Sequence, residues 1–291
     1  MRRRRTEPSR PAAEPVLRLA VLLQAGLAPG AAWRYLARDD ADAEAVVAAA
    51  AAGTGIPAAI AARGPSWEPV SAAWAIAERA GAPLSGTLRA IAAALREADD
   101  CRDEVRIVLA EPAATARLMS WLPLVAVGLG MLMGFDPLGI MLASPVGLGC
   151  AVAGAVLMLG ARAWTGRLVR AARPAEGIPG LVPELLAVAL TGGASLDRAR
   201  ELVADAAGAA PDAETERLLA LSRDAGVPAV ELLRAAAALA RHRARVDGRL
   251  RAAALGSRLL LPLGVCVLPA FLALGVAPML LSVLGSTELT L

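Results

Sequence analysis

The sequence predicts an all-α integral membrane protein with two small cytoplasmic helical bundles and three transmembrane helices. Apolar residues make up 57% of the 291 residues, and the mean hydropathy of +0.55 is high for a chain that folds in water. Charged residues still account for 20%, and they avoid two long intervals of the chain. Outside those intervals, Leu, Val and Ile recur at helical spacing, and β-branched runs are short.

The chain begins with the basic stretch MRRRRTEPSRPAAEP, which is typical of a disordered arm. We assign residues 1–13 to this arm. A secretory signal is not expected, because the next apolar run, VLRLAVLL, is short and contains Arg18. A basic arm of this kind suits a position near anionic lipid headgroups.

The two helical bundles are predicted at 14–117 and 161–257. Each contains two glycine corners between helices, with the sequences QAGLAPG, AGAP, TGGAS and AGVP in chain order. Glycine adopts the left-handed conformation that ends a helix, and Pro or Ser suits the start of the next helix. The residues predicted to form the corners are Gly26, Gly81, Pro83, Gly193, Gly226 and Pro228.

One corner and the helix after it occur twice. AGAPLSGTLRAIAAALR (80–96) and AGVPAVELLRAAAALAR (225–241) agree at nine of seventeen positions when they are aligned without a gap. We interpret the pair as an internal repeat in which each copy leads into a membrane span. The first bundle is the longer of the two, and the stretch ADAEAVVAAAAAGTGIPAAIAA (41–62) accounts for the difference.

The three membrane spans are predicted at 118–135, 138–160 and 258–285. Between Leu118 and Ala161 the only charged residue is Asp136, which lies in the turn sequence FDPLG, and the last span carries no charge between Leu259 and Val283. A crossing needs about 20 apolar residues. The alternative, a buried helical hairpin in a soluble domain, is disfavoured because uncharged runs this long are costly to bury in a domain of this size.

The distribution of arginine predicts the orientation. The chain has no Lys; fifteen Arg lie at or before Arg117, and the other fifteen lie between Arg162 and Arg258. An excess of positive charge marks the cytoplasmic side of a membrane protein. We therefore expect a multi-pass protein of the cytoplasmic membrane, with its N-terminus inside and a tail at 286–291 outside.

Little in the sequence favours catalysis, so we predict no enzyme activity, no metal and no cofactor. The chain has one histidine, His242, three widely spaced cysteines, and no Walker A, GxGxxG, GxSxG or HExxH motif. The acidic cluster at 99–104 lies beside arginines and is interpreted as ion pairing on a helix surface. Nucleic-acid binding is not expected, because 27 acidic residues balance the arginines to a net charge of +3.

Three segments together resemble the type II secretion system F family, whose members are platform proteins of secretion systems, type IV pili and Tad-type pili. They are LLQAGLAPGAAWRYL (22–36), AGAPLSGTLRAI (80–91) and AGVPAVELLRAA (225–236). The predicted order of a domain, two spans, a domain and one span is similar to that family's topology. The resemblance implies a platform that binds a hexameric cytoplasmic secretion ATPase, pilin-like subunits and a second F-family protein, in a homo- or hetero-oligomer. A Tad-like system is the preferred branch.

The exposed basic faces of the bundles are the candidate partner contacts. The residues are Arg89, Arg96, Arg234, Arg241, Arg243 and Arg245. The alternative function is a membrane subunit of a transporter driven by a separate ATPase, which would also lack nucleotide motifs. Three spans are few for that role, and the spans lack the charged residues that a solute path normally needs.

Overall fold

The computed structural model describes residues 12–132, 139, 145–172, 177–277 and 280. Within these residues all regular structure is helical and no strand occurs, so the all-helical prediction is confirmed for this part of the chain. The α-helices are α1 Ala13–Gln24, α2 Pro29–Leu36, α3 Ala41–Ala51, α4 Ile56–Ala61, α5 Glu68–Ala80, α6 Leu84–Leu132, α7 Pro145–Ala172, α8 Leu181–Thr191, α9 Leu196–Ala207, α10 Ala213–Ala225, α11 Ala229–Arg258, α12 Leu260–Pro262 and α13 Leu268–Phe271.

The chain divides into two compact units, and each draws on both halves of the sequence. The first unit contains the described residues of 1–101 and 176–245, and the second contains those of 102–175 and 246–291. Both segments that were predicted as separate bundles therefore contribute to the first unit. The domain boundaries derived from the sequence stay predictions.

One apolar core runs through the first unit and includes side chains from both predicted bundles. Helix α5 is central to it and packs against α4, α8 and α9. Trp33 contacts Trp67 and Trp74 with ring centroids 6.2 and 6.0 Å apart, so three of the five tryptophans meet here. The core is shared because apolar side chains surround α5, and one bundle alone could not cover all of them.

Two helical hairpins of the first unit have matching corners. Gly26 follows α1 with φ 90°, and Gly193 follows α8 with φ 89°. In both corners the residue after the glycine donates its N–H to a carbonyl five residues earlier: Leu27 to Leu22 at 3.2 Å, and Ala194 to Ala189 at 3.2 Å. This is the hydrogen bond of a Schellman motif, which satisfies the free carbonyls at a helix end. The geometry supports the proposed corners at these glycines.

The repeated segment of the sequence also has matching helix ends. In the alignment of the two copies, both ends of α10 coincide with those of α5, and the start of α11 coincides with that of α6. Between the paired helices, Gly81 has φ 75° and Gly226 has φ 66°. A left-handed conformation of this kind favours glycine, since other L-residues bring Cβ too close to the backbone. Pro83 and Pro228 each directly precede the following helix.

In the second unit, α7 packs against the helical segment at 260–276. Gly154 of α7 makes room for the side chain of Leu274, which a Cβ at Gly154 would overlap. The 260–276 segment includes two π-helical stretches, Leu263–Val267 and Leu272–Val276. Irregular turns of this kind are expected where prolines remove backbone donors, as Pro269 does here.

One helix of the described part of the chain is long and apolar enough to cross a membrane. It spans Pro145–Ala171 with a mean hydropathy of 1.7 and overlaps the span predicted at 138–160. The segment Gly264–Val276, within the span predicted at 258–285, is apolar but shorter. The end of α6 covers 118–132 of the first predicted span. Three transmembrane helices are therefore not confirmed.

Several predicted features lie outside the described residues. They are most of the basic arm, Asp136 and nearly all of its turn, the end of the first span, and the tail at 286–291.

Candidate interaction surface

The structure assigns Arg241 to an internal ion pair. Its Nε donates to Oε2 of Glu97 at 2.9 Å, and its Nη1 lies 3.5 Å from Oε2 of Glu184. The Arg241 side chain is 15% exposed and that of Glu184 is 7% exposed. The pair therefore ties α11 to α6 and α8, and the expectation of an exposed contact at Arg241 is not met. The sequence could not predict this pairing, because Glu97 and Glu184 lie far from Arg241 along the chain.

Arg234 and Arg243 form exposed pairs on α11. Arg243 Nη1 lies 3.1 Å from both carboxylate oxygens of Glu214, and Arg234 lies 3.5 Å from Glu231 one turn earlier. Pairs between exposed side chains contribute about 0–1 kcal/mol, because water competes for both partners. A partner protein's carboxylates could therefore replace these contacts at little cost.

The remaining candidate arginines have three different surroundings. Arg89 is exposed and donates to the side-chain amide oxygen of Gln24 at the end of α1. Arg96 is exposed two turns after Arg89 on α6, so both lie on one side of that helix. Arg245 is half-buried, and its buried Nε has no hydrogen-bond partner.

A second long-range ion pair lies within the second unit. Arg249 of α11 donates to Glu104 of α6. Glu104 belongs to the acidic cluster whose charges were expected to pair with nearby arginines of the same helix. Arg249 lies 145 residues further along the chain, so local spacing could not identify this partner.

Charge pairs also fasten α9 to α10. Arg200 binds Glu216 through two hydrogen bonds of 3.1 and 2.7 Å, and it donates to Asp197 at 2.9 Å. The hydrogen bond to Glu216 is the largest cause that raises the pKa of Arg200 above its ordinary value. At the start of α10, Asp212 accepts from the N–H of Thr215 at 2.8 Å. Hydrogen bonds from Thr215 lower the pKa of the Asp212 carboxyl.

A cavity of about 330 Å³ opens between α8, α10 and α11. Gly180, at the start of α8, closes one side of it against α11: a Cβ there would come 2.6 Å from the carbonyl oxygen of Ala237. Its other walls are mostly apolar, with polar groups where α10 begins. They are formed by Gly177, Ile178, Leu181, Val182, Pro183, Ala210, Asp212, Glu214, Thr215, Ala236 and Ala240. Among the described residues no three His, Cys, Asp or Glu side chains come together as they would around a metal ion.

Residues 16–132 match the family model of the type II secretion system (T2SS), protein F. The match begins in α1 and ends with α6, so it includes the first hairpin and the first copy of the repeated corner. No curated protein matches the sequence. The helical hairpins and the apolar helix α7 fit a membrane-associated helical protein. The similarity at residues 16–132 is thus to the type II secretion system F family, whose members are membrane platform proteins.

Proposed function

We propose that this chain is a cytoplasmic-membrane platform protein of a type II secretion, type IV pilus or Tad-like pilus assembly system. In this role it couples a cytoplasmic secretion ATPase to the extraction and assembly of pilin-like subunits. The observation that carries the proposal is the family match over 16–132, which includes the whole of α6 and its apolar end at 118–132. A helix that joins a polar bundle to apolar residues is suited to transmit motion from one to the other.

The second unit supports a membrane location through its exposed apolar side chains. Large apolar residues are exposed along α7, at the end of α6 and along the 260–276 segment. They are Leu118, Val125, Leu129, Leu132, Val146, Val152, Val156, Leu159, Leu261, Val265, Leu268 and Leu272. An apolar surface of this extent is unusual in water and suits contact with lipid tails or pilin helices. We propose that these elements form the three spans, with the N-terminus cytoplasmic and the C-terminus outside.

The exposed arginines of the first unit are the proposed contact with the ATPase. Arg89 and Arg96 share one side of α6, and Arg234 holds the position of Arg89 in the repeat. The contacts of Arg89 and Arg234 lie at the surface, where water already competes for them, so these guanidinium groups can turn to a partner's carboxylates. Arg241 is excluded from this surface by its internal ion pair.

The test is co-purification of the cognate secretion ATPase with the full chain in detergent. We expect the ATPase to co-purify with the wild-type chain, and the Arg89→Glu, Arg96→Glu double variant to retain at least tenfold less ATPase. The matched control is Arg63→Glu, another exposed arginine of the first unit away from α6. Failure of the wild-type chain to retain the ATPase, together with normal piliation in a deletion strain, would contradict the proposal.

A further inference from the structure

Helix α5 docks on the α8–α9 hairpin through two contacts at its C-terminal end. Arg79 of α5 donates to Asp205 of α9 at 3.1 Å. Ala80 lies against Gly192 so closely that a Cβ on Gly192 would come 2.8 Å from the Ala80 carbonyl carbon. The two contacts identify the sides of the three helices that face each other.

Three apolar residues lie on these same sides. Each is three or four residues before one of the contact residues, so it projects from the same side of its helix. The three are Ile76 on α5, Val188 on α8 and Leu202 on α9. All are buried, with at most 5% of the residue exposed, as expected for a packed helix–helix contact.

The chain contains a second set of these three helices. Helix α10 is the counterpart of α5 in the internal repeat. The α1–α2 hairpin is the counterpart of the α8–α9 hairpin. Gln24 is the last residue of α1 and Thr191 is the last residue of α8. When these two residues are aligned, the first residues of α2 and α9 also coincide. The matching corner hydrogen bonds support this alignment.

At the three counterpart positions the residues are again apolar, but they are exposed. Leu221 corresponds to Ile76, Val21 to Val188, and Tyr35 to Leu202. The exposed fractions of Leu221, Val21 and Tyr35 are 50%, 51% and 50%. Val227, which follows the corner at Gly226, is 41% exposed, whereas its counterpart Ala82 is buried. Helices α10, α1 and α2 thus carry apolar residues at the positions that α5, α8 and α9 use to pack together, but in α10, α1 and α2 these residues are exposed.

Opposite charges also occur at the two positions that correspond to the ion pair of the first contact, with their signs exchanged. The counterpart of Arg79 is Asp224, and the counterpart of Asp205 is Arg38. Both counterparts are exposed. Two independent positions have therefore changed sign while remaining complementary, which is the pattern expected of surfaces that meet. Ala25 replaces Gly192, and a Cβ at this position overlaps the facing carbonyl group in the first contact, so the second pair of faces must meet at a wider spacing here.

We propose that α10 of one copy of this chain docks on the α1–α2 hairpin of a second copy. The α10 face consists of Leu221 and Asp224, and the hairpin face consists of Val21, Tyr35 and Arg38. Both faces belong to the first unit and both are exposed there, so they do not cover each other within one chain. A second copy supplies the missing partner with the complementary charge. Because the two faces differ, the contact is heterologous and builds either a closed ring or an open chain of copies.

The test measures self-association of the full chain in detergent, by light scattering and by co-purification of two differently tagged copies. We expect Arg38→Asp and Asp224→Arg each to weaken self-association about tenfold, since each places like charges in contact. The double variant that carries both changes restores opposite charges and should regain wild-type association. Leu221→Asp should abolish association by placing a charge in the apolar contact.

Two controls separate this contact from general effects of charge. Arg63→Asp repeats the charge reversal, and Leu239→Asp repeats the polar change at a residue that is 43% exposed on α11; both should leave association unchanged. A wild-type chain that stays monomeric would overturn the proposal, as would a double charge variant that associates no better than the single variants. The outcome does not depend on ATPase binding, so this proposal and the platform role can fail separately.

Discussion

Gly192 lies directly against the backbone of Ala80, and this contact joins the corner after α8 to the corner after α5. A Cβ at Gly192 would overlap the carbonyl group of Ala80. Gly192 has φ −75°, a conformation that any residue adopts, so the contact requires glycine for space rather than for backbone freedom. The close approach brings α5 onto the α8–α9 hairpin and makes one core from two segments of the chain.

Gly192→Ala should therefore destabilise the first unit by about 1–3 kcal/mol through overpacking. The matched control is Gly55→Ala, because Gly55 has φ −58° and no atom within 4 Å of an added Cβ. The melting temperature of each variant is measured in detergent by monitoring thermal unfolding with circular dichroism. Equal melting temperatures for the two variants would contradict the close contact.

Gly81→Val should lower stability for a different reason. Gly81 has φ 75°, while the nearest atom to an added Cβ is 3.9 Å away, so strain comes from the backbone and not from a clash. The left-handed conformation costs an L-residue about 1–2 kcal/mol, and β-branching adds to this cost. Gly81→Asn should lose less, since Asn tolerates this region better. A Gly81→Val protein that folds and inserts normally would argue against the corner.

Asp212→Ala should destabilise α10 by about 1 kcal/mol, because the Asp212 side chain caps the N–H of Thr215. Asp212→Asn retains a capping oxygen and should lose little. The folded-state pKa of Asp212 is lowered, so its charge stabilises the fold above the ordinary value of 3.8. That contribution should disappear as the pH falls through the lower, folded-state pKa. The free energy of unfolding, measured with urea between about pH 2 and pH 6, reports this contribution. The Asp212→Asn variant should lack this part of the pH dependence.

Arg241→Ala should destabilise the first unit more than Arg243→Ala. Removal of Arg241 leaves the buried Glu184 carboxylate without its cation, which costs about 3 kcal/mol when a buried pair is broken. Arg243 pairs with Glu214 in the solvent, so its loss should cost less than about 1 kcal/mol. Denaturant unfolding of both variants provides the comparison. Equal losses would show that Arg241 has no special structural role.

Val152→Arg should weaken membrane insertion if α7 crosses the bilayer. An arginine near the centre of a membrane helix costs about 2.5–3.5 kcal/mol on insertion scales, and Val152 is exposed on α7. The readout is the fraction of chain that resists alkaline extraction from membranes. Leu239→Arg, on the exposed surface of the first unit, should leave that fraction unchanged. The same membrane content for both variants would contradict a spanning α7.

The sequence by itself determined the helical class and the family resemblance, and it predicted the glycine corners. These features are local: a helix end at Gly26 or Gly81 depends on a few adjacent residues and on the freedom of glycine at positive φ. The match at 16–132 confirms the resemblance for that part of the chain. The repeat was also visible in the sequence, because both copies kept the same glycine, proline, leucine and arginines.

Only the tertiary structure decided which helices share a core and which charges meet. Apolar periodicity shows that Ile76 and Leu221 both face something, but not that one is covered by α8 and α9 while the other is exposed. Arg241 could not be distinguished from its exposed neighbours, because its carboxylate partners are far away in sequence. Burial and ion pairing depend on contacts between distant segments, and those contacts follow from shape and packing rather than from local spacing.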